Sequence, residues 1–204
     1  MTRIDHVILG VANLDDGIEQ FERLTGVRPA YGGRHPTGTH NALVSLGQGI
    51  YLEIIALQPG AIRPPEFAAL SHVKDLTPVG WAVASTDVEM LRNKLASADL
   101  PVTEPVAGSR ATPAGGTLRW QTVRLQHGFR EAPFFIVWAD DGPHPSATNP
   151  GGCALSAAPA VSRGVHPGSA VASYDTQQVL SAIENAARTV KHAPELSFSP
   201  GPVD

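Results

Sequence analysis

Two side chains that can bind metals or move protons lie inside short apolar runs of the sequence. His6 lies within residues 4–11, and Glu53 lies within residues 50–56. Both runs are rich in β-branched residues and bounded by turn residues, so each predicts a buried strand. A carboxylate inside an apolar strand is costly unless it is hydrogen-bonded, paired with a cation or bound to a metal. His6 and Glu53 are therefore the first candidates for catalysis or metal binding.

His40 is the candidate for a third ligand beside this pair. It begins the strand predicted at residues 39–46, which neighbours the strand of Glu53. Adjacent residues of a strand point to opposite faces, so only one of His40 and Asn41 can face the same side as Glu53. Imidazole nitrogen and carboxylate oxygen together suit zinc, nickel, manganese or iron. A divalent metal is therefore the predicted cofactor.

Each of these side chains also has an ordinary structural interpretation. His6 is alternatively a hydrogen-bonded core histidine, and His40 an exposed residue at a strand end. Glu53 is alternatively the buried partner of Arg119 or Arg110. An arginine within a predicted strand needs an anion, so Arg119 is expected to hold either this glutamate or a substrate carboxylate. Arg110 falls in a glycine-rich segment, where a solvated side chain is expected.

Aromatic and loop residues complete the predicted binding site. Trp81, Trp120 and Trp138 suit the wall of a site for an apolar or planar ligand, although each one singly is also typical of a packed core. His35 precedes a proline in a loop, and loops commonly line binding sites. The predicted substrate-binding residues are Asn41, Arg119, Trp81, Trp120 and His35.

The candidate residues lie in a pattern of elements that occurs twice. Residues 4–56 read as a strand, a helix and three strands, with Asn13 as the N-cap of the helix. Residues 79–140 repeat this order, with Ser85 or Thr86 as the N-cap. The strands are predicted at residues 4–11, 27–31, 39–46 and 50–56, and then at 79–84, 102–106, 117–125 and 133–139. A repeat of this kind indicates a fold built from two similar halves.

Composition excludes several other classes of protein. The chain has 204 residues and a formal net charge of −4, which is unlike a basic nucleic-acid-binding surface. Cys153 is its one cysteine, so no disulfide framework exists within the chain. No apolar run approaches the length of a membrane span, and the N-terminus lacks a charged and apolar leader. A cytoplasmic protein without nucleic-acid or membrane partners is the expectation.

Several short motifs accompany the two units. They are Asp5-His6-Val7, the loop at residues 32–36, and the segments at residues 38–43, 51–54, 117–120 and 143–145. With the histidine in the first strand and the glutamate in the fourth, these motifs resemble the vicinal oxygen chelate superfamily. That group includes glyoxalase I, extradiol dioxygenases, fosfomycin-resistance enzymes and bleomycin-binding proteins. Within it, residues 4–156 are most similar to the glyoxalase-like domain branch.

The resemblance implies an α+β fold of tandem βαβββ units that form a curved, cup-like mixed sheet. It also implies metal ligands from the first and fourth strands of each unit, which His6 and Glu53 match in the first. In the second unit the first-strand position is predicted to be Trp81, and the fourth strand has no carboxylate, so two of the four usual ligands are missing. The glyoxalase-like domain is expected to span residues 1–158, with units at about 4–56 and 79–140.

Residues 159–204 are expected to form an accessory element or a partial third βα unit. Strands are predicted there at residues 169–174 and 195–198, around a helix at about 179–187. An unpaired strand edge in this segment would allow pairing with a second chain, so a homodimer is one hypothesis.

The leading functional hypothesis is a small-molecule enzyme of the lyase, isomerase or dioxygenase type. A divalent ion held by His6, Glu53 and His40 would polarise two adjacent oxygens of the substrate. A dioxygenase needs two histidines and one carboxylate, so that variant depends on His40. The alternative is a metal-free protein that binds or sequesters a small molecule, as the bleomycin-resistance proteins do.

Overall fold

The computed structural model describes residues 3–61, 65–126, 132–140, 142–155 and 198–200. Its strands are β1 (Arg3–Gly10), β2 (Ala30–Arg34), β3 (Thr39–Ser45), β4 (Tyr51–Leu57), β5 (Thr77–Ala84), β6 (Val106–Ala111), β7 (Thr117–Val123), β8 (Phe134–Trp138), β9 (Cys153–Leu155) and β10 (Phe198–Pro200). Its helices are α1 (Leu14–Thr25), α2 (Val88–Ser97) and α3 (Pro145–Thr148), and a 3₁₀ helix covers Pro65–His72.

One mixed sheet of eight strands carries the fold, in the order β2-β3-β4-β1-β5-β8-β7-β6. In the first half β1 pairs parallel to β4, and β3 and β2 follow antiparallel. The second half repeats this arrangement, because β5 pairs parallel to β8, and β7 and β6 follow antiparallel. The antiparallel pair of β1 and β5 joins the halves. The predicted tandem βαβββ arrangement is confirmed.

The sheet curves until its two edge strands, β2 and β6, approach each other. One face of the curved sheet is covered by the helices, and the opposite, concave face lies inside. We call this concave face the cup. Because side chains alternate between the two faces of a strand, the strand register decides which residues enter the cup.

The face covered by the helices holds two apolar cores. The first packs α1 against β1, β3 and β4, and the second packs α2 against β5, β7 and β8. Their main members are Leu9, Leu14, Ile18, Phe21, Val44, Leu52 and Ile54 in the first core, and Val83, Leu91, Leu95, Val123 and Phe135 in the second. These cores hold the strands in the register that points the alternate residues into the cup.

The ends of the helices follow from local hydrogen bonds. Asn13 caps α1 as predicted, since its side-chain oxygen accepts from the backbone N–H of Asp15 at 2.9 Å. Asp87, rather than Ser85 or Thr86, caps α2, because its carboxylate accepts from the backbone N–H of Met90 at 2.9 Å. An ionised carboxylate is the stronger capping acceptor near a helix N-terminus, which explains the shift of the cap.

Two glycine-rich segments that read as loops are strands instead. β2 extends to Arg34 through Gly32 and Gly33, and β6 runs through Gly108 to Ala111. The strand predicted at residues 102–106 is reduced to an isolated bridge from Val102 and the start of β6. Pairing with β3 and β7 overrides the low strand propensity of glycine at both sites.

The C-terminal segment lies mostly beyond the described ranges. The predicted strand at residues 169–174, the helix at 179–187 and the predicted boundary at residue 158 all fall outside them. The strand predicted at residues 195–198 meets the described residues only at Phe198, where β10 begins and pairs antiparallel with β9. Cys153, predicted in a loop, lies buried in β9 and packs on the first core. Across the described ranges, no helix combines the length and hydropathy that crossing a membrane requires.

Candidate functional site

The cup brings His6 and Glu53 together. They lie on neighbouring parallel strands, β1 and β4, and His6 Nε2 is 3.7 Å from the Glu53 Oε2 atom. Both side chains are buried, with 2% of His6 and 7% of Glu53 exposed. The ring of Tyr51 stacks on the His6 imidazole with 4.5 Å between centroids, and Phe134 meets it edge-on at 5.6 Å. An imidazole and a carboxylate therefore face each other in the buried interior of the cup.

Asp5 orients the His6 ring through Nδ1, on the side of the imidazole away from Glu53. A bulge in β1 places Asp5 as an extra residue between Ile4 and His6, opposite β5. Adjacent residues of a regular strand point apart, and the bulge re-aims Asp5 so that its Oδ1 lies 2.7 Å from His6 Nδ1. The other oxygen, Oδ2, accepts from Trp138 Nε1 at 3.1 Å and from His144 Nε2 at 3.0 Å. One buried carboxylate thus receives three donors from both halves of the fold.

The pKa of Asp5 lies well below its ordinary value. Burial raises it, but the hydrogen bonds from His144 and His6 and the charges of these rings outweigh burial and lower it. Asp5 is therefore ionised and can only accept hydrogen bonds, so His6 Nδ1 and His144 Nε2 must carry the protons. His144 Nδ1 in turn accepts from the backbone N–H of Ser146 at 3.3 Å.

This assignment of protons defines the reactive atom of His6. In the tautomer with the proton on Nδ1, it is Nε2 of the imidazole that carries the lone pair and faces Glu53. A carboxylate that fixes the tautomer of a histidine in this way is a recurring support for general bases and for metal ligands. The sequence-based reasoning did not assign Asp5 or His144 to the site, because a bulge leaves no signal in the strand pattern and a histidine between two prolines is typical of a surface turn.

Asn41, rather than His40, reaches Glu53. Asn41 Nδ2 donates to Glu53 Oε1 at 2.7 Å, and both residues lie on the cup face of β3 and β4. Asn41 Oδ1 is buried and has no hydrogen-bond partner among the residues that the structure describes. It lies against Gly32, where a Cβ atom would be only 2.4 Å away. The missing side chain at Gly32 therefore makes the room in which Asn41 turns its amide toward Glu53.

Gly32→Ala should destabilise the protein and loosen Glu53. The added methyl group would overlap Asn41 Oδ1 and crowd Leu43 at 3.0 Å. Overpacking of this kind costs about 1–3 kcal/mol. We expect the urea midpoint to fall accordingly, while Gly151→Ala, whose added Cβ meets nothing within 4 Å, serves as the matched control. Equal midpoints for the Gly32 and Gly151 variants would contradict the packing described for Asn41.

His35 enters the cup from the end of β2. Its Nδ1 lies 2.8 Å from Thr39 Oγ1, its Nε2 lies 3.9 Å from Glu53 Oε1, and its ring meets Trp120 edge-on at 6.1 Å. Burial lowers the pKa of His35, an effect that the charge of Glu53 only partly offsets. His35 therefore favours the neutral form. The structure places this predicted residue beside the His6–Glu53 pair.

Three other predicted residues are not brought to this pair. His40 pairs with Ala56 and faces the helix-covered side, where it interacts with the charge of Asp15. Trp81 packs against the second core, and the residue of β5 that pairs with His6 is Ala82. Arg119 is exposed on β7. Alternation along the strands explains each placement, and His6, His40 and Glu53 do not form a two-histidine, one-carboxylate set.

The second half of the cup supplies an aromatic wall. Trp120 and Trp138 pair across β7 and β8, and their ring centroids are 5.4 Å apart. His144 meets Trp138 at 5.4 Å and Tyr51 at 5.5 Å, so the wall joins the rings around His6. The structure thus places Trp120, one of the predicted substrate-binding residues, on this wall.

Arg110 is a charged residue of the cup that the sequence-based reasoning set aside. Arg110 lies on β6, where it pairs with Leu118 of β7, and it is only 5% exposed. Its glycine-rich surroundings in the sequence had suggested a solvated side chain. Burial lowers the pKa of Arg110, and the charge of Glu53 acts in the opposite direction. The burial of an arginine on an edge strand depends on the approach of the two edges of the sheet, so it could not be predicted from the sequence pattern.

The donor set of the cup offers fewer ligands than a divalent metal centre needs. Catalytic zinc sites commonly take three protein ligands. His6 and Glu53 offer two, and His35 Nε2 lies 3.9 Å from Glu53 Oε1, but the part of the chain that the structure describes holds no group of three His, Cys, Asp or Glu side chains that could hold one ion. The described residues therefore do not fit a resident metal centre of the predicted kind.

Comparison with known proteins gives the family. The profile of the family described as "Glyoxalase-like domain" matches residues 4–175, while no curated protein matches the sequence. A hypothetical protein from Staphylococcus aureus is 21% identical with a TM-score of 0.57, and the match covers 72% of this chain but 63% of that one, less than two thirds of its length.

Other similar structures are methylmalonyl-CoA epimerases. The Mycobacterium tuberculosis enzyme is 17% identical, with a TM-score of 0.46 over 71% of this chain and 91% of its own. A variant of the Streptomyces coelicolor enzyme, in complex with 2-nitronate-propionyl-CoA, is 15% identical, with a TM-score of 0.49. The match covers 70% of this chain and 99% of that one. The family match spans most of the sequence. The chain belongs to the glyoxalase-like domain family of the vicinal oxygen chelate superfamily.

Proposed function

We propose that this chain is a small-molecule enzyme that moves a proton at a carbon atom next to a carbonyl group. The reaction class is that of an isomerase or a lyase. The observation that carries the proposal is the buried line of contacts from Asp5 through His6 to Glu53. Proton transfer by a positioned carboxylate or imidazole is the chemistry for which such a line is suited.

Glu53 is the general base in this proposal. Its Oε1 is held by Asn41, which leaves Oε2 directed toward His6 and the interior of the cup. As the C–H bond of the substrate breaks, the proton moves to Glu53 and the electron pair of the bond forms an enolate on the substrate. Return of the proton at another face or position gives an isomerase, and departure of a leaving group with that electron pair gives a lyase.

His6 holds the transferred proton. Before the reaction, the Nε2 lone pair of His6 and the Glu53 carboxylate are two acceptors 3.7 Å apart. A proton placed between them creates a hydrogen bond, and the ionised Asp5 stabilises the positive charge that then develops on the imidazole ring. The pair is therefore suited to take up one proton from the substrate and to release it again.

The test is hydrogen exchange in deuterated water. The purified protein, treated with a chelator, is incubated with a panel of 2-oxo acids, 3-oxo acids and thioesters that carry hydrogen next to a carbonyl group. We expect proton NMR to show loss of that hydrogen from at least one compound, far above the rate without protein. No exchange from any compound would contradict the proposal.

Two further outcomes would favour the other hypotheses. Tight binding of a compound without exchange would support a metal-free binding protein. Exchange that requires zinc, nickel, manganese or iron after chelation would contradict direct proton transfer and support a metal-bound substrate. If Glu53 transfers the proton directly, we expect the rate of hydrogen exchange to be the same before and after the chelator treatment.

A further inference from the structure

The position of Arg110 identifies a part of the cup that the proton-transfer pair does not use. Arg110 lies on β6 of the second half, and its side chain crosses to the first half over Gly33 of β2. A Cβ atom at Gly33, whose φ is +137°, would lie 3.2 Å from Arg110 Nη1. The nearest atom would be the backbone oxygen of Ala111 at 2.2 Å, so the glycine allows β6, and with it the Arg110 side chain, to lie close against β2.

The guanidinium of Arg110 lacks a partner of its own. It is 5% exposed, and no hydrogen bond or ion pair joins it to another residue within the described ranges. It interacts through its charge with Glu53, Tyr51 and Tyr31, but only at longer range. A guanidinium has five N–H donors. No nitrogen of Arg110 is a fully buried atom without a partner, so these donors border the open space of the cup, where an acceptor can reach them.

An anion is the acceptor that an accessible guanidinium near Glu53 favours most strongly. A guanidinium binds a carboxylate through two parallel hydrogen bonds, which suits a planar anion better than a point charge. Glu53 faces the same space and repels negative charge, so a single charge is favoured over the two of a phosphate. Trp120 lies on the same face as Arg110 and offers a flat apolar surface for the rest of the molecule.

We propose that Arg110 binds the carboxylate of a small planar organic acid, which places the neighbouring carbon atom before Glu53. This inference rests on the proposed proton transfer for the role of that carbon, but the binding of the carboxylate does not depend on it. The class of substrate is thus a monocarboxylic acid rather than a phosphate ester or a neutral carbonyl compound.

The test is calorimetric titration with phenylacetate, benzoate and pyruvate, each compared with its neutral amide, and with inorganic phosphate. At least one acid should bind wild-type protein about ten-fold or more tightly than its amide, since hydrogen bonds to a charged group are lost with the charge. Arg110→Gln should reduce the affinity for that acid to the level of the amide. Arg110→Lys should lie between the two, because lysine keeps the charge without the planar fork.

Three controls separate this inference from its alternatives. Arg23→Gln, on the exposed surface of α1, should leave the affinity unchanged. Glu53→Gln should retain carboxylate binding, so a failure of proton transfer alone would leave this inference standing. Equal affinities for every acid and its amide would overturn it even if Arg110→Gln fails to fold. Tighter binding of phosphate, or loss of binding with Arg119→Gln in place of Arg110→Gln, would also overturn it.

Discussion

Glu53→Gln is expected to lower the rate of proton exchange by about 100- to 10,000-fold, which is the usual contribution of a general acid or base. Glutamine has nearly the same shape as glutamate and can still accept the hydrogen bond from Asn41. It cannot take up a proton, however, so the line from Asp5 through His6 ends without a base. The measurement is the exchange rate of a responsive compound in deuterated water.

Glu22→Gln is the matched control for this substitution. Glu22 lies on α1, away from the cup, with its side chain 39% exposed beside Arg28. Exposed pairs of this kind contribute little, so its exchange rate should equal that of wild type. A Glu53 variant that exchanges protons as fast as the Glu22 variant would show that another group is the base.

Asp5→Asn should have the largest effect on stability, lowering the free energy of unfolding at neutral pH by about 3–5 kcal/mol. The asparagine side chain offers one acceptor oxygen where three donors converge, and its NH₂ group would face one of them. His6 can relieve this conflict by moving its proton to Nε2. The lone pair facing Glu53 is then lost, so we expect the exchange rate to fall as well.

The stability effect of Asp5→Asn should depend on pH in a defined direction. The pKa of Asp5 in the folded protein lies below its ordinary value of 3.8. Its stabilisation is therefore complete above 3.8 and is lost as the pH falls through 3.8 toward the folded value. Urea unfolding of both proteins should give a difference that is constant near neutral pH and shrinks below 3.8.

Asp140→Asn, in an exposed turn, provides the comparison for charge alone. It should change the free energy of unfolding by no more than about 0.5 kcal/mol at any of these pH values. If Asp5→Asn and Asp140→Asn unfold at the same urea concentration, Asp5 does not hold the two halves of the fold together.

The sequence was sufficient for the fold because the repeated pattern of strands and helices is local. His6 and Glu53 were visible because a charged or polar residue within an apolar strand is unusual whatever its tertiary surroundings. The N-cap of α1 was predictable for the same reason, since the side chain of Asn13 bonds to residues that follow it closely in the chain. Asp87 was missed as a cap because several capping residues occur together, and only the hydrogen bond to Met90 distinguishes them.

The rest of the site depends on long-range geometry. Asp5 reaches His6 through a bulge, which shifts the register against β5 and also places Ala82, not Trp81, opposite His6. Arg110 becomes buried only when the edge strand β6 approaches β2. Neither the bulge nor the approach of the edges follows from propensity or alternation, so these residues could not be assigned from the sequence.

The most direct test is a crystal structure of the Glu53→Gln protein with a carboxylic acid that exchanges hydrogen in the presence of the wild-type protein. We expect the carboxylate to form two parallel hydrogen bonds with Arg110. The exchanging carbon should then lie about 3–3.5 Å from the side chain of residue 53, the distance of a reactive geometry. A ligand whose carbon lies away from residue 53, or a metal ion between His6 and the substrate, would contradict direct proton transfer by Glu53.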